Sequence, residues 1–179
     1  MRINSGKFRN HNIDICNLET TRETSDKVRQ AIFNLLGQYF DGDVVLDLFA
    51  GSGAMGLEAI SRGASYAYFN DLNPKALSVA KKNAAKLKLT DDDVSFYNLD
   101  YKAFLKSIDK QFDIIFLDPP YKMNEIDEIL GLIKEYNLLK DKGIISFEME
   151  KNTNSLSNIY EIYKERTYGI KKVVLYISK

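Results

Sequence analysis

The stretch "VVLDLFAGSGAMGLEAI", residues 44–60, predicts how the chain folds. A short run of strand-forming residues leads into three glycines, Gly51, Gly53 and Gly56, and a helix-like stretch from Ala54 to Arg62 follows. Glycine permits a tight turn and lets the backbone approach a ligand with no side chain in between. A strand, a glycine-rich turn and a helix in this order are typical of an open α/β sheet, whose ligand binds at the carboxyl end of the first strand.

Strand-like and helical patterns alternate along the rest of the chain. The apolar runs "YAYFN", "VSFYNL", "FDIIFL" and "GIISFEM" are separated by helical patterns over residues 73–87, 101–108 and 125–136. This alternation predicts a parallel sheet with helices on both faces. Two further strand-like runs surround Gly169 and predict an antiparallel pair at the C-terminus. We therefore expect an α/β fold with a mostly parallel, seven-stranded sheet.

The first forty residues precede the predicted sheet. Residues 25–40 have apolar side chains at helical spacing, which predicts an amphipathic helix. The segments "RINSGKF" and "NIDICNL" predict a small hairpin, because Asn, Gly and His occupy the turn between them. We divide the chain into a hairpin appendage, residues 1–20, and a main domain, residues 21–179.

The composition limits the classes of protein that the chain can belong to. The 179 residues include 45% hydrophobic residues, enough for the core of one domain. Lys plus Arg (25) equals Asp plus Glu (25), so any nucleic-acid site must be a local basic patch. The single cysteine, Cys16, excludes an internal disulfide and indicates a reducing compartment. No run is long and apolar enough for a signal peptide or a membrane span, and no His/Cys cluster indicates a metal site. We expect a cytoplasmic monomer.

Three aspartates follow three consecutive predicted strands. Asp47 lies at the glycine-rich turn, and Asp71 and Asp100 follow the next two strands. Each alone could be a helix cap or a solvated loop residue, and the glycine-rich turn alone fits a dinucleotide as well as an adenosyl group. The turn lacks the Gly-Lys-Ser/Thr of a phosphate loop. Together the aspartates favour an adenosyl ligand with positive charge, S-adenosylmethionine, contacted by Asp47, Ala50, Gly51, Gly53, Asp71, Leu72, Asp100 and Tyr101.

The stretch "FLDPPY", residues 116–121, ends the fourth predicted strand. Asp118 and a backbone carbonyl fixed by Pro119 and Pro120 could accept both N–H groups of an exocyclic amine and orient its lone pair. The ring of Tyr121 could stack on a flipped base. The alternative is a strand end followed by a turn. Because the stretch occurs beside a glycine-rich turn, we favour a catalytic site made of Asp118, Pro119, Pro120 and Tyr121.

The "DPPY" stretch resembles the signature of Rossmann-like methyltransferases that modify exocyclic amino groups. Over nearly its whole length the chain is similar to the RsmD-type 16S rRNA guanine-N2 methyltransferases, in "MRINSGKFR", "TRETSDKVRQAIFN", "LDLFAGSGAMGLEAISRGA", "DPPY" and "RTYGIKKVVLY". The resemblance implies methyl transfer from S-adenosylmethionine to 16S rRNA, free or within the small subunit. It places Arg22 and Thr24 beside the cofactor. Glu23, Ser25 and Asn10 depart from the family pattern.

A local basic patch is predicted near the N-terminus. The first eleven residues contain no acidic side chain, and two further basic residues follow on the predicted helix. The resemblance implies that the hairpin contacts rRNA, and phosphate contacts require such a patch. An ordinary solvated surface is the alternative. The predicted RNA-binding residues are Arg2, Lys7, Arg9, Lys27 and Arg29.

Three other functions share parts of these patterns. An adenine-N6 DNA methyltransferase would use the same Asp-Pro-Pro-Tyr chemistry, but it usually carries a separate recognition segment, for which the chain has little room. A protein-glutamine methyltransferase more often has asparagine at the position of Asp118. A non-catalytic RNA-binding assembly factor could keep the fold, but the intact motifs argue against it.

Overall fold

The computed structural model describes residues 1–16, 24–120, 125–155 and 157–178. These residues form seven strands and five helices that alternate along most of the chain. The strands are β1 (Val44–Asp47), β2 (Tyr66–Asn70), β3 (Val94–Tyr97), β4 (Phe112–Leu117), β5 (Leu139–Glu150), β6 (Glu161–Tyr168) and β7 (Lys171–Ile177). The helices are α1 (Asp26–Leu36), α2 (Ala54–Ser61), α3 (Pro74–Lys86), α4 (Tyr101–Ser107) and α5 (Ile126–Glu135).

All seven strands belong to one sheet in the order β3-β2-β1-β4-β5-β7-β6. Strands β1 to β5 run parallel to one another, whereas β7 is antiparallel to both β5 and β6. The predicted fold, a mostly parallel seven-stranded sheet with an antiparallel C-terminal pair, is therefore confirmed. The order reverses between β1 and β4, and a sheet of this type binds its ligand beside such a reversal.

Helices cover both faces of the sheet, as the sequence predicts. In β4 the side chain of Ile114 belongs to a core cluster with residues of α1, α2 and α3, and the next residue, Ile115, belongs to a second cluster with residues of α4 and α5. Successive side chains of a strand point to opposite faces. This is why "FDIIFL" is apolar almost throughout.

The helix ends follow their sequence signals closely, with one exception. Asn73 caps α3 by accepting the N–H of Lys75 at 2.9 Å, and Pro74 is the first helical residue. The prediction that the first helix extends to Phe40 is wrong. It ends at Leu36 because Gly37 adopts a φ of 111°, and Tyr39 beyond it is 65% exposed.

The N-terminal segment forms a small hairpin that packs into the core. Arg2 and Asn12 form an antiparallel bridge, and Ile3 donates its N–H to His11 at 2.9 Å. Asn10, where a glycine is usual in the resembled family, has a φ of 68°, a conformation that asparagine tolerates better than most residues. The side chain of Ile3 is buried in the core. The domain boundary at residue 20 lies outside the described residues and stays a prediction.

None of the helices within the described ranges is long and apolar enough to cross a membrane.

Candidate active site

A cavity of about 680 Å³ opens at the carboxyl ends of β1, β2 and β4. The parallel strands place the residues that follow them at this edge of the sheet. The cavity brings together eight of the ten predicted cofactor residues and three of the four predicted catalytic residues. These lining residues are Thr24, Asp47, Ala50, Gly51, Asp71, Leu72, Asp100, Tyr101, Asp118, Pro119 and Pro120.

The glycine-rich turn forms one wall of the cavity. Gly51 has a φ of 54° and Gly53 a φ of 81°, which is the left-handed region that favours glycine. The N–H of Gly56 in the first turn of α2 donates to Asp47 Oδ2 at 3.1 Å, so the buried carboxylate holds the start of the helix. Gly53 begins α2 and does not line the cavity. Glycine is needed at position 53 because the turn requires this left-handed backbone conformation.

Asp71 ties the glycine-rich turn to the loop after β2. Its Oδ2 accepts the N–H of Gly51 and its Oδ1 accepts the N–H of Asn73, both at 2.8 Å. Each carboxylate oxygen keeps a second lone pair, so both can still accept hydrogen bonds from a ligand. Asp71 is partly exposed at the cavity wall, as acceptors for two ribose hydroxyls would need to be.

Asn70, the last residue of β2, holds the loops beside the cavity together and was missed by sequence reasoning. Its side chain is 1% exposed and donates to the carbonyls of Leu48 (3.3 Å) and Leu99 (3.1 Å). It also accepts the N–H of Leu99 at 3.3 Å. The amide therefore links the loops that follow β1, β2 and β3. The signal was present in the sequence, since Asn70 is the polar last residue of an otherwise apolar strand.

The start of α4 forms the opposite side of the cavity. Asp100 caps this helix by accepting the N–H of Lys102 at 2.9 Å. The hydroxyl of Tyr101 donates to Glu125, the residue before α5. Burial, followed by this hydrogen bond to the Glu125 carboxylate, raises the pKa of Tyr101 above its usual value. The phenol therefore stays protonated and acts as a donor that links α4 to the start of α5.

Asp118 lies at the end of β4, beside the glycine-rich turn. Its Oδ2 accepts a hydrogen bond from the hydroxyl of Thr24 at 2.9 Å. The same hydroxyl lies 3.0 Å from Oε2 of Glu148 on β5, and Lys171 on β7 pairs with Glu148. Sequence reasoning missed Glu148 and Lys171. A carboxylate inside the apolar run "GIISFEM" was the available signal.

Two predicted site residues cannot be placed. Arg22 and Tyr121 lie outside the described residues, so their predicted contacts with cofactor and base stay predictions. Pro120, which precedes Tyr121 in the sequence, lines the cavity.

Four of the five predicted RNA-binding residues have exposed side chains, and their contact with RNA stays a prediction. Arg2, Lys7, Arg9 and Lys27 are all exposed. Arg29 is fully buried, pairs with Asp26 at 2.8 Å and donates to the carbonyl of Arg2. Its prediction as an RNA contact is wrong, because its guanidinium joins α1 to the hairpin and cannot reach a phosphate.

Comparisons with known proteins identify the family. A family model described as "Conserved hypothetical protein 95" matches residues 1–177. A protein of Haemophilus influenzae named "Ribosomal RNA small subunit methyltransferase D" is 35% identical over 179 residues, covering 98% of this chain and 93% of that protein. The chain belongs to the RsmD methyltransferase family.

A second relative and a solved structure are similar to the chain in sequence and in fold. The Escherichia coli (strain K12) protein named "Ribosomal RNA small subunit methyltransferase D" is 31% identical over 172 residues, covering 94% of this chain and 85% of that protein. A solved structure of the Escherichia coli protein yhhF has a TM-score of 0.86 and 28% identity, covering 99% of this chain and 97% of that chain. The Rossmann-like methyltransferase fold is therefore shown for the described residues.

The described part of this RsmD-family protein contains no cluster of three or more His, Cys, Asp or Glu side chains arranged to hold a metal ion. The carboxylates at the cavity instead cap helices, hold turns or accept hydrogen bonds from Thr24 and Tyr101.

Proposed function

We propose that the protein transfers a methyl group from S-adenosylmethionine to the exocyclic N2 of a guanine in small-subunit rRNA. The observation that carries the proposal is the position of Asp118, whose carboxylate faces the same cavity as the Gly51 turn and Asp71. The names of the relatives support rRNA as the substrate. Guanine N2 is the position implied by the sequence resemblance.

The cavity residues fit S-adenosylmethionine, which supplies a methyl group activated on a sulfonium. Asp71 offers acceptors for the ribose hydroxyls, and the glycine-rich turn offers backbone at close range. Leu72 is 68% exposed and Leu99 is 37% exposed although both are apolar. Both line the cavity, where an adenine ring would cover them. The carboxylate of Asp47 favours a positively charged ligand.

Asp118 is the catalytic residue of the proposed reaction. The lone pair of a guanine amino nitrogen is conjugated into the ring, so the nitrogen is a weak nucleophile. The Asp118 carboxylate accepts one N–H of the amine and turns the lone pair towards the donor. This contact strengthens as positive charge develops on the nitrogen, so it stabilises the transition state more than the bound substrate.

Pro119 and Pro120 hold the backbone acceptor beside Asp118. Their φ angles are fixed and they have no N–H to compete for the base. A backbone carbonyl of this pair accepts the second N–H of the amine. Positioning of the two reactants then accounts for most of the acceleration.

The experiment that tests the proposal is single-turnover transfer of labelled methyl to small-subunit rRNA or to particles that lack the modification. Asp118→Ala should reduce the rate by ~10²–10³-fold, as removal of one preorganised transition-state contact does. Asp118→Asn keeps one acceptor oxygen and should retain more activity than Asp118→Ala. Cofactor binding, measured by calorimetry, should largely survive both substitutions.

The location of the label decides between the candidate substrates. The proposal expects N2-methylguanine in rRNA. Label on adenine N6 or on protein would show that the substrate is a different one. A parental rate of methyl transfer in Asp118→Ala would overturn the mechanism. A protein that binds S-adenosylmethionine or RNA but transfers no methyl group would be an assembly factor.

A further inference from the structure

The hydroxyl of Thr24 lies between two carboxylates. Its Oγ1 is 2.9 Å from Asp118 Oδ2 and 3.0 Å from Glu148 Oε2. Thr24 is 6% exposed and Glu148 is 4% exposed, so bulk water does not mediate these contacts. Asp118 itself is more open, with 28% of its side chain exposed to the cavity. The hydroxyl thus connects the carboxylate that faces the cavity to one that is buried behind it.

Lys171 completes the cluster from β7. Its Nζ pairs with Oε1 of Glu148 and lies 3.9 Å from Oδ1 of Asp118. One cation therefore faces two carboxylates, and the cluster carries a net charge of about −1 when all three groups are ionised. The antiparallel register places Lys171 opposite Glu150 on β5, two residues beyond Glu148.

A hydroxyl carries one proton, so it donates to one carboxylate at a time. The contacts of Thr24 with Asp118 and Glu148 are both hydrogen bonds only when a second proton is present on one of the two carboxyl groups. The cluster therefore has a place for one additional proton, and methylation of an amine releases one proton. Asp118 is the residue at which the released proton can enter the cluster.

We propose that Thr24, Glu148 and Lys171 are positioning residues that align Asp118 and take up the proton released by the methylated base. This inference rests on the proposed function. Thr24 orients the Asp118 carboxylate and passes the proton inward, Glu148 receives it, and Lys171 keeps the paired carboxylates ionised until then. None of the three needs to touch the donor.

The proposed steps balance in atoms and charge. The base nitrogen forms a bond to the methyl carbon as the carbon–sulfur bond breaks, with both electrons of that bond remaining on sulfur. The nitrogen is then cationic and gives one proton to Asp118. The protonated Asp118 donates to Thr24 Oγ1 while the Thr24 proton moves to Glu148 Oε2. The negative charge of the cluster is neutralised, and the proton leaves to solvent after the products have gone.

The test is the acid limb of the pH–rate profile for single-turnover methyl transfer, which reports protonation of Asp118. Several charged groups face Asp118 from the elements around it. They are Lys171 on β7, Glu148 and Glu150 on β5, and, across the large cavity, Asp47, Asp71, Asp100, Lys102 and Glu125. Single substitutions at Lys171 and Glu148 change only the nearest of these charges and should shift the limb in opposite directions.

Lys171→Met removes a cation near Asp118, so the midpoint of the acid limb should rise by about one pH unit. Glu148→Gln removes a neighbouring negative charge, so the midpoint should fall by about one pH unit. The double variant leaves no unpaired charge in the interior, and its midpoint should lie close to that of the parent. Lys171→Arg keeps the charge and serves as the matched control. A purely structural role would move all these variants in the same direction or not at all.

Thr24 is tested with variants of similar shape. Thr24→Val keeps the volume without the hydroxyl and should be about tenfold slower, since one hydrogen bond to a charged group is lost. Thr24→Ser restores the hydroxyl and should restore most of the rate. In the donor-free protein, NMR titration of the Asp118 and Glu148 carboxyl carbons should show two coupled transitions in the parent and in Thr24→Ser. The coupling should weaken in Thr24→Val.

The inference would be overturned if the acid-limb midpoints of Lys171→Met and Glu148→Gln did not move in opposite directions. It would also be overturned if Thr24→Val transferred the methyl group as fast as Thr24→Ser. Carboxyl titrations that remain equally coupled without the hydroxyl would also overturn it. A parent that forms no N2-methylguanine would instead defeat the proposed function. The NMR titration still reports on the cluster in that case, so the two failures are distinguishable.

Discussion

The carboxylate of Glu58 lies 2.8 Å from Nε of Arg62, and both side chains are buried. The same carboxylate accepts the backbone N–H groups of Asn4 at 2.9 Å and Ser5 at 3.0 Å. It also lies 3.5 Å from Nε of Arg29 on α1. One charged group on α2 therefore joins the first helix and the N-terminal hairpin to the core.

Glu58→Gln should be strongly destabilising. It leaves the buried guanidinium of Arg62 without its paired carboxylate and removes one of the two carboxylates beside Arg29. Removal of one partner of a buried ion pair typically costs ~3–5 kcal/mol. Urea denaturation measures the change in the free energy of unfolding, and hydrogen exchange at Asn4 and Ser5 reports release of the hairpin. Glu135→Gln, at an exposed site on α5, is the control and should change stability by less than ~0.5 kcal/mol. Equal effects of the two substitutions would contradict this account of the hairpin.

Asp71→Ala should weaken S-adenosylmethionine binding at least tenfold, since charge-assisted hydrogen bonds of ~1.5–3 kcal/mol are lost. The substitution also removes the acceptors of the Gly51 and Asn73 N–H groups, so the turn should loosen. Asp71→Asn keeps one acceptor oxygen and should lose less affinity. Calorimetry with the cofactor measures both variants. Parental affinity in Asp71→Ala would show that the ribose lies elsewhere.

The parts of the fold and site that depend on local pattern were predictable from the sequence. The apolar runs, the glycines and the Asn73–Pro74 pair each act through the backbone of their own segment, and parallel strands then bring Asp71, Asp100 and Asp118 to one edge. The positions of these residues follow from the strand ends alone. No knowledge of long-range contacts was needed.

The parts that depend on contacts distant in sequence were not predictable. A basic patch was predicted from charge alone, but charge does not reveal that Arg29 is buried against Asp26 and Glu58. The contact between Thr24 and Asp118 joins residues 94 positions apart. Lys171 meets Glu148 only because β7 inserts next to β5, an order that strand patterns do not specify.

Tyr176→Phe should change how stability depends on pH. Burial raises the pKa of Tyr176 to about 12, and its hydroxyl donates to the Ser155 carbonyl at 2.7 Å. The phenol therefore contributes stability that is complete below about pH 10 and is lost as the pH rises through about 12. The variant loses one hydrogen bond, so at pH 7 it should be ~1 kcal/mol less stable than the parent. Urea denaturation should show this difference shrinking above pH 10. A constant difference from pH 7 to pH 11 would contradict the assignment.

Reversal of Arg2, Lys7 and Arg9 to Glu should weaken RNA association and reduce its salt dependence. Each phosphate contact releases counterions, so fewer contacts give a shallower slope of affinity against salt. All three side chains are exposed, and the buried Arg29 is left unchanged because it would report on folding. Reversal of Lys106, Lys110 and Lys134 changes the net charge equally at exposed positions on or next to α4 and α5, and should have a smaller effect. The measurement is rRNA binding across a salt series, with cofactor affinity expected to stay at the parental value. If both triple variants weaken binding equally, the hairpin is not the RNA contact and only the net charge matters.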